Sequence, residues 1–330
     1  MDLLIPIQIR KLPQPIRYQD RILMVGSCFT EHIGNSLSEL KFKVLENPNG
    51  ILFDPISVTR SLKSYIQPRI YSDQDLFQLN EVWHSWNHHS RFSATTAAAG
   101  LEKINNSQKE AHEFLKKADW LIITLGSSFS YRLTKASGLN VGAGVANCHR
   151  APAQWFHKHL LEISEIVDAL NDCMQQVRVF NPNLKIIYTV SPVRHIRDGV
   201  VENNRSKARL IEAVHQVVND EEHQYYFPAY ELVIDVLRDY RFYDIDLAHP
   251  NYAATRFVLE HFGESCIEEH TRRIMEEIKK LVTSRKHRAF QPDTTAHRDF
   301  MAAQLQKAID MKERFPFLNL DEEIRYFSRT

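Results

Sequence analysis

RILMVGSCFTEHIGNSL, residues 21–37, joins a short apolar run to a turn of small residues and then to a polar stretch. The segment at 21–26, RILMVG, has four consecutive apolar residues before its glycine, which is typical of a strand that is covered on both faces, as in a parallel sheet. The polar residues that follow have helical character. The segment therefore predicts a strand, a tight turn that carries Ser27, and a helix.

Two later segments repeat the apolar run, DWLIITLG at 119–126 and LKIIYTVSP at 184–192. Helical candidates lie around the last of them, at 157–180 and 203–220, with apolar residues three and four positions apart. Strands that alternate with helices imply right-handed crossovers in one sheet. The sequence therefore predicts an α/β fold with a doubly wound parallel sheet.

Two regions lie outside this alternation. Residues 47–118 contain turns, aromatic residues and polar runs, which we interpret as an insertion. Beyond about residue 252 the chain is charged, with acidic and basic residues at helical spacing. We predict an α/β domain over residues 1–262, with the insertion at about 47–118, and a helical C-terminal extension over 263–330. The extension packs either on the core or on a second subunit, as in a homo-oligomer.

Composition excludes several classes of protein. Hydrophobic residues make up 43% of the 330 residues and charged residues 25%, which is typical of a soluble globular protein. Lys+Arg and Asp+Glu both number 41, so charge gives no reason to expect nucleic acid as a partner. No segment approaches the roughly 20 apolar residues of a membrane span. Four scattered cysteines without CxxC spacing favour reduced thiols and a cytoplasmic protein, and we predict no cofactor.

Ser27 is the first candidate for chemistry. It follows the first predicted strand, and open α/β sheets bind ligands beyond the carboxyl ends of their strands. A serine needs a base, and a carboxylate to orient that base. Asp246 and His249 stand three residues apart in DIDLAHP and can supply both. The alternative is that Asp246 or His249 only caps the next helix, with Pro250 at its first position.

The combination of these two segments resembles the SGNH/GDSL hydrolase superfamily. The resemblance is closer to the GSCFA domain family, whose name spells the motif found here as Gly26-Ser27-Cys28-Phe29-Thr30. Further segments that fit are NPNGILFDP (47–55), ITLGSSFSY (123–131), NCHRAP (147–152), TVSPVRHIRDG (189–199), NNRSKA (203–208) and YFPAYELVIDVLRDYRFYDIDLAHP (226–250). The resemblance implies a three-layer α/β/α core with Ser27 as nucleophile and Asp246 and His249 completing a triad.

The function that follows is hydrolysis of an acyl or acetyl ester, on a small molecule or a glycan. The same triad permits acyl transfer to another acceptor. A second hypothesis is a binding protein for small molecules that keeps the fold without turnover. A third is a scaffold or interaction protein that uses its helical C-terminal extension.

The expected oxyanion hole departs from the superfamily's pattern. The backbone N–H groups of Ser27 and of Gly50, as the loop glycine, can serve as two donors, but Ser128 stands where an asparagine is usual. The hydroxyl of Ser128 or the amide of Asn147 can replace the missing donor, whose loss typically lowers the rate about 10²–10³-fold. His195, in a loop with Arg194 and Arg197, is a candidate for binding an anionic part of the substrate.

Two other groups compete with this hypothesis. Cys28 can be the nucleophile, because a thiol at a helix N-terminus has a lowered pKa. His84, His88 and His89 suggest a metal, a contact with substrate, or ordinary structural histidines. Because no carboxylate or cysteine stands at ligand spacing nearby, we predict no metal site.

Overall fold

The centre of the fold is a five-stranded parallel sheet. The structure, a computed structural model, describes residues 5–287 and 290–328. The strands are β1 (Arg21–Gly26), β2 (Lys43–Glu46), β3 (Phe77–Leu79), β4 (Val82–His84), β5 (Trp120–Leu125), β6 (Phe129–Leu133), β7 (Gly144–Val145), β8 (Phe156–Leu160), β9 (Lys185–Val190) and β10 (Gln224–Tyr226). The central sheet has the order β10-β9-β5-β1-β2, and all its neighbouring strands are parallel.

Helices cover both faces of this sheet. They are α1 (Cys28–Glu39), α2 (Pro55–Ile66), α3 (Ala97–Leu115), α4 (Ile163–Phe180), α5 (Val200–Val217), α6 (Ala229–Glu231, continued by a π-helical turn, Leu232–Leu237), α7 (Tyr252–Cys266), α8 (Glu269–Lys286), α9 (Thr295–Arg314) and α10 (Asp321–Phe327). Two small antiparallel sheets, β3-β4 and β7-β6-β8, lie outside the central one.

Alternate residues of the strands enter two separate cores. Ile22 and Met24 of β1 pack with α1, α7 and the C-terminal helices, whereas Leu23 and Val25 pack with α2 to α5. Successive side chains of a strand point to opposite faces, so one apolar run can supply both cores. The predicted three-layer α/β fold with a doubly wound parallel sheet and a helical C-terminal part is therefore confirmed.

The predicted boundaries hold for the strands better than for the helices. Residues 21–26 form β1 as predicted, and β5 and β9 lie inside the two other predicted runs. The predicted helix at 157–180 is wrong at its start, because residues up to Leu160 form β8 and α4 begins at Ile163. The backbone of β8 pairs with β6, a partner that periodicity within the segment does not reveal.

The C-terminal helices share the core of the α1 side. Ile278, Leu281, Met311 and Phe327 pack in the same apolar cluster as Ile22 of the central sheet. Among the residues that the structure describes, no helix has the length and apolarity needed to cross a membrane. The domain division at residue 262 and the association of subunits through this region stay predictions.

Candidate active site

Ser27 occupies the turn between β1 and α1. It is the N-cap residue of α1, but its side chain makes no capping hydrogen bond. The residue is 3% exposed, and within the described part of the chain Ser27 Oγ has no hydrogen-bond partner. Other buried hydroxyls share this property, Thr30 Oγ1 and Thr189 Oγ1 among them, so the position of Ser27 at the end of β1 matters beside its free hydroxyl.

Gly126 follows β5, and three side chains lie close to it. A Cβ placed on Gly126 would lie 2.8 Å from Phe53 Cβ, 3.2 Å from Ser27 Cβ and 3.4 Å from His195 Nε2. Ser27, Phe53 and His195 therefore meet on the same side of Gly126. His195 is half-buried, with its ring centroid 5.1 Å from that of Phe53. Burial, and then the ammonium of Lys207, lower the pKa of His195 to about 4, so this imidazole is neutral at pH 7.

Asp246 and His249 form a hydrogen-bonded pair. Asp246 Oδ2 lies 2.6 Å from His249 Nδ1, and Asp246 Oδ1 accepts the backbone N–H groups of Ala248 and His249 at 3.0 Å each. These bonds, the backbone N–H of His249 first, lower the pKa of Asp246 to about 2. The ionised carboxylate keeps a proton on Nδ1 and leaves Nε2 of His249 as the basic nitrogen.

The alternative in which Asp246 or His249 caps the following helix is wrong. Helix α7 begins at Tyr252, and its N-cap is Asn251, whose side chain accepts the N–H groups of Ala253 and Ala254. Asn251 satisfies the first backbone donors of α7, so Asp246 and His249 are not needed there.

The loop that carries His249 is joined to the loop that carries His195. Arg194 N–H donates to Ala248 O at 3.0 Å. Arg194 also stacks its guanidinium over the ring of Tyr243, 4.2 Å from the centroid. Among the described residues no hydrogen bond connects His249 to the Ser27 hydroxyl.

The two backbone donors expected in the oxyanion hole are engaged with protein carbonyls. Gly50 N–H donates to Asn47 O at 2.7 Å, and Ser27 N–H donates to Thr124 O at 3.0 Å. The chain after Gly50 does lie beside the turn, because Leu52 N–H donates to Gly26 O at 3.0 Å.

Ser128 and Asn147 also have partners of their own. Ser128 is fully buried, and its hydroxyl donates to Ser206 O at 3.1 Å. Asn147 Oδ1 accepts the N–H of His149 at 2.8 Å. The oxyanion roles of Gly50, Ser128 and Asn147 stay predictions, and His195 is the candidate that the structure brings beside Ser27.

The competing nucleophile has an unfavourable environment. Cys28 is half-buried at the start of α1, and burial raises the pKa of its thiol. The hydrogen bonds at the helix N-terminus act in the opposite direction but are outweighed. A raised pKa is the reverse of what a thiolate nucleophile requires.

The candidate histidines of the 84–89 segment have separate surroundings. The ring of His84 lies 4.7 Å from that of His149, and His88 Nδ1 lies 2.9 Å from Ser85 Oγ. His89 caps a short turn by accepting the N–H of Arg91. Across residues 5–287 and 290–328, no three His, Cys, Asp or Glu side chains are grouped so as to hold a metal.

Three polar residues at the site are absent from those predicted from the sequence. Asn203, Ser206 and Lys207 are buried on one face of α5 and bond to the loops that follow β5 and β9. Their spacing in NNRSKA puts them on adjacent turns of a helix, which is the one signal the sequence offers.

Comparisons with known proteins give one family. The sequence matches the GSCFA family over residues 21–262 and the GSCFA domain protein, C-terminal domain, over residues 278–330. No curated protein matches the chain. Two solved structures are similar at low identity, each across 79% of this chain and 99% of its own. They are a carbohydrate esterase family 3 from Talaromyces cellulolyticus (10% identity, TM-score 0.36) and a mutant acetyl esterase with an acetate ion (11%, TM-score 0.35). Because the family match spans most of the sequence, from β1 to helix α7, the chain belongs to the GSCFA family.

Proposed function

We propose that this protein is a serine hydrolase of the SGNH type that cleaves an acyl or acetyl ester of a small molecule or a glycan. The observation that carries the proposal is the free hydroxyl of Ser27 at the end of β1, in a position where His195 lies on the same side of Gly126. A buried hydroxyl without a partner costs about 1–3 kcal/mol of stability, so folding alone favours alanine at this position. Reactivity is a reason to keep the hydroxyl there.

In the proposed reaction Ser27 Oγ attacks the ester carbonyl carbon while His249 Nε2 accepts the hydroxyl proton. His249 then gives that proton to the departing alcohol, and an acyl group stays on Ser27. Water, activated by His249 in the same way, releases the acid. Asp246 holds the histidine tautomer and stabilises the imidazolium, a role supported by the 2.6 Å contact between the two side chains. An alcohol in place of water makes the same steps an acyl transfer.

His195 is proposed as the side-chain donor to the oxyanion. Ser128 bonds to helix α5, whereas His195 Nε2 lies on the same side of Gly126 as Ser27. Because its pKa is lowered to about 4, the imidazole is neutral at pH 7 and can donate one N–H without competing for the proton of Ser27. A donor of this kind contributes about 10²–10³ to the rate.

A binding protein of the same fold is the second candidate. It is favoured by the backbone donors, because the N–H groups of Ser27 and Gly50 both donate to protein carbonyls. Ser27 is also 3% exposed, so an ester reaches it only after the side chains that cover it move.

Covalent labelling with a fluorophosphonate separates the two candidates. We expect wild-type protein to gain one adduct, mapped to Ser27 by peptide mass spectrometry, and Ser27→Ala to gain none. The matched control is Cys28→Ser, which removes the neighbouring nucleophile and is expected to keep the adduct. An adduct that persists in Ser27→Ala rejects Ser27 as the nucleophile, and an unlabelled wild type favours the binding protein.

The same assay distinguishes the proposed roles of His249 and His195. His249→Gln removes the proposed base and is expected to slow labelling about 10²–10⁴-fold. His195→Gln removes an oxyanion donor and is expected to slow labelling about 10²–10³-fold without abolishing its pH dependence. A pH profile that disappears with His195→Gln instead would assign the base to His195.

A further inference from the structure

Lys207 is a buried cation that the proposed reaction does not use. The residue is 1% exposed, and its Nζ donates to Gly126 O at 2.5 Å and to Ser191 O at 2.6 Å. No carboxylate among the described residues forms an ion pair with it. Burial lowers the pKa of Lys207 to about 7. Burying an ammonium without an acidic partner is unfavourable, so an apolar side chain of similar length would serve folding better.

The two carbonyls stand where strands β5 and β9 separate. Ser191 N–H donates to Leu125 O at 2.8 Å, which extends the pairing of these strands by one residue. The next carbonyl on each chain, Gly126 O and Ser191 O, bonds to the same ammonium. Lys207 therefore fixes the separation of the two chain segments at the point where the site begins.

The same face of α5 holds the adjoining residues of both loops. Asn203 Oδ1 accepts the backbone N–H of His195 at 2.9 Å, and Ser206 Oγ accepts that of Ser128 at 2.7 Å. Positions 203, 206 and 207 are neighbours on a helix surface. One helix face thus contacts both strand-end loops that reach Ser27.

We propose that Lys207 is a positioning residue of the Ser27 site, which holds Gly126 and the His195 loop in place beside the nucleophile. The inference rests on the proposed function, because positioning matters only where Ser27 reacts. A misplacement of about 1 Å caused by a change away from the reacting atoms can lower the rate about 10²-fold.

The charge of Lys207 should change the pKa of His195, an effect that a role in packing alone would not have. After burial, Lys207 is the strongest influence that lowers the pKa of His195. The groups that face Lys207 are Cys28 from α1, Tyr230 from α6 with its ring centroid 6.0 Å from Nζ, and His195. The other charged groups that act on His195 are Asp198, His249 and Lys158. Removing the Lys207 charge should therefore raise the pKa of His195.

The test compares Lys207→Met with wild type in the full chain. We expect fluorophosphonate labelling to slow about 10–100-fold because the loops beside Ser27 are misplaced. The Tm should stay within about 4 °C of wild type, since the lost hydrogen bonds are offset by removal of a buried charge. Lys207→Gln keeps N–H donors but has no charge, so its labelling rate should lie between those of Lys207→Met and wild type. The matched control is Lys41→Met, a lysine paired with Glu323 at 2.8 Å, which should lower Tm and leave labelling unchanged.

A second measurement, the titration of His195 followed by NMR, does not depend on labelling of Ser27. Long-range ¹H–¹⁵N spectra follow the titration of His195, with His195→Gln to assign its signal, and we expect a higher pKa in Lys207→Met. An unlabelled wild type rejects the proposed function, whereas this titration still decides whether Lys207 acts on His195. Labelling of Lys207→Met within about twofold of wild type, or an unchanged His195 titration, overturns the inference.

Discussion

Gly126→Ala places one methyl group between the nucleophile and His195. The new Cβ would lie 2.8 Å from Phe53 Cβ and 3.2 Å from Ser27 Cβ, whereas carbon atoms pack best at about 3.5–4.0 Å. Phe53 cannot turn away easily, because its carbonyl accepts the N–H groups of Gly126 and Ser127 at 2.8 and 3.1 Å. The backbone of one of the three segments must therefore move by several tenths of an ångström.

The magnitude follows from that displacement. Overpacking of this kind costs about 1–3 kcal/mol of folding free energy. A misplacement of about 1 Å can cost about 10²-fold in rate, so a shift of several tenths of an ångström should slow labelling of Ser27 by roughly tenfold. The assay is the second-order rate of fluorophosphonate labelling, measured beside Tm.

A matched glycine is available in helix α7. A Cβ on Gly263 meets no heavy atom within 4 Å, so Gly263→Ala should stabilise the helix by about 0.5–1 kcal/mol and leave labelling unchanged. The reasoning is refuted if Gly126→Ala labels at the wild-type rate with an unchanged Tm, because Gly126 would then not separate Ser27 from His195.

Two further predictions concern stability. Glu323 is fully buried, with its carboxylate 2.8 Å from Lys41 Nζ and 3.4 Å from Arg285 Nε. Glu323→Gln should therefore lower the free energy of unfolding, measured in urea, by about 3–5 kcal/mol. A loss below about 1 kcal/mol would show that the ion pairs of Glu323 are dispensable. Burial lowers the pKa of His88 to about 3 and that of His149 to about 4. The stability that these two neutral histidines give the folded state is fully present above about pH 6.5, the pKa that they have in the unfolded chain. It is lost as the pH falls from there towards about 4, because the unfolded chain binds protons first. The difference in urea midpoint between wild type and His88→Asn should therefore change over this range, and a constant difference would contradict the burial of a neutral His88.

The central strands could be predicted because their information is local. After Arg21, residues 22–26 carry no polar side chain and are all buried, and a strand buried on both faces needs no other pattern. Helix α2 was harder to recognise, because four of its twelve residues are serine or threonine. Three of them, Thr59, Ser61 and Ser64, donate to carbonyls of their own helix and so remain compatible with packing against the core. The start signal, Asp54 before Pro55, was nevertheless present in the sequence.

In the candidate site, too, some features depend on local sequence and others on the tertiary structure. The pairing of Asp246 with His249 depends on three residues of sequence and follows from their spacing. The place of Lys207 does not, because a lysine in a helix is ordinarily exposed. Only the tertiary arrangement shows that the strand ends leave two carbonyls facing α5 and that an ammonium is the group that reaches both.

The sheet order explains why these segments meet. In β10-β9-β5-β1-β2 the order of the strands along the chain reverses between β1 and β5, and a crevice opens at such a point beyond the carboxyl ends of the strands. Ser27 follows β1 and Gly126 follows β5, so the topology alone places them on the two sides of that crevice. His195 then arrives from β9, the next strand. A glycine at position 126 is needed because a side chain there would fill the space that His195 Nε2 and Ser27 share.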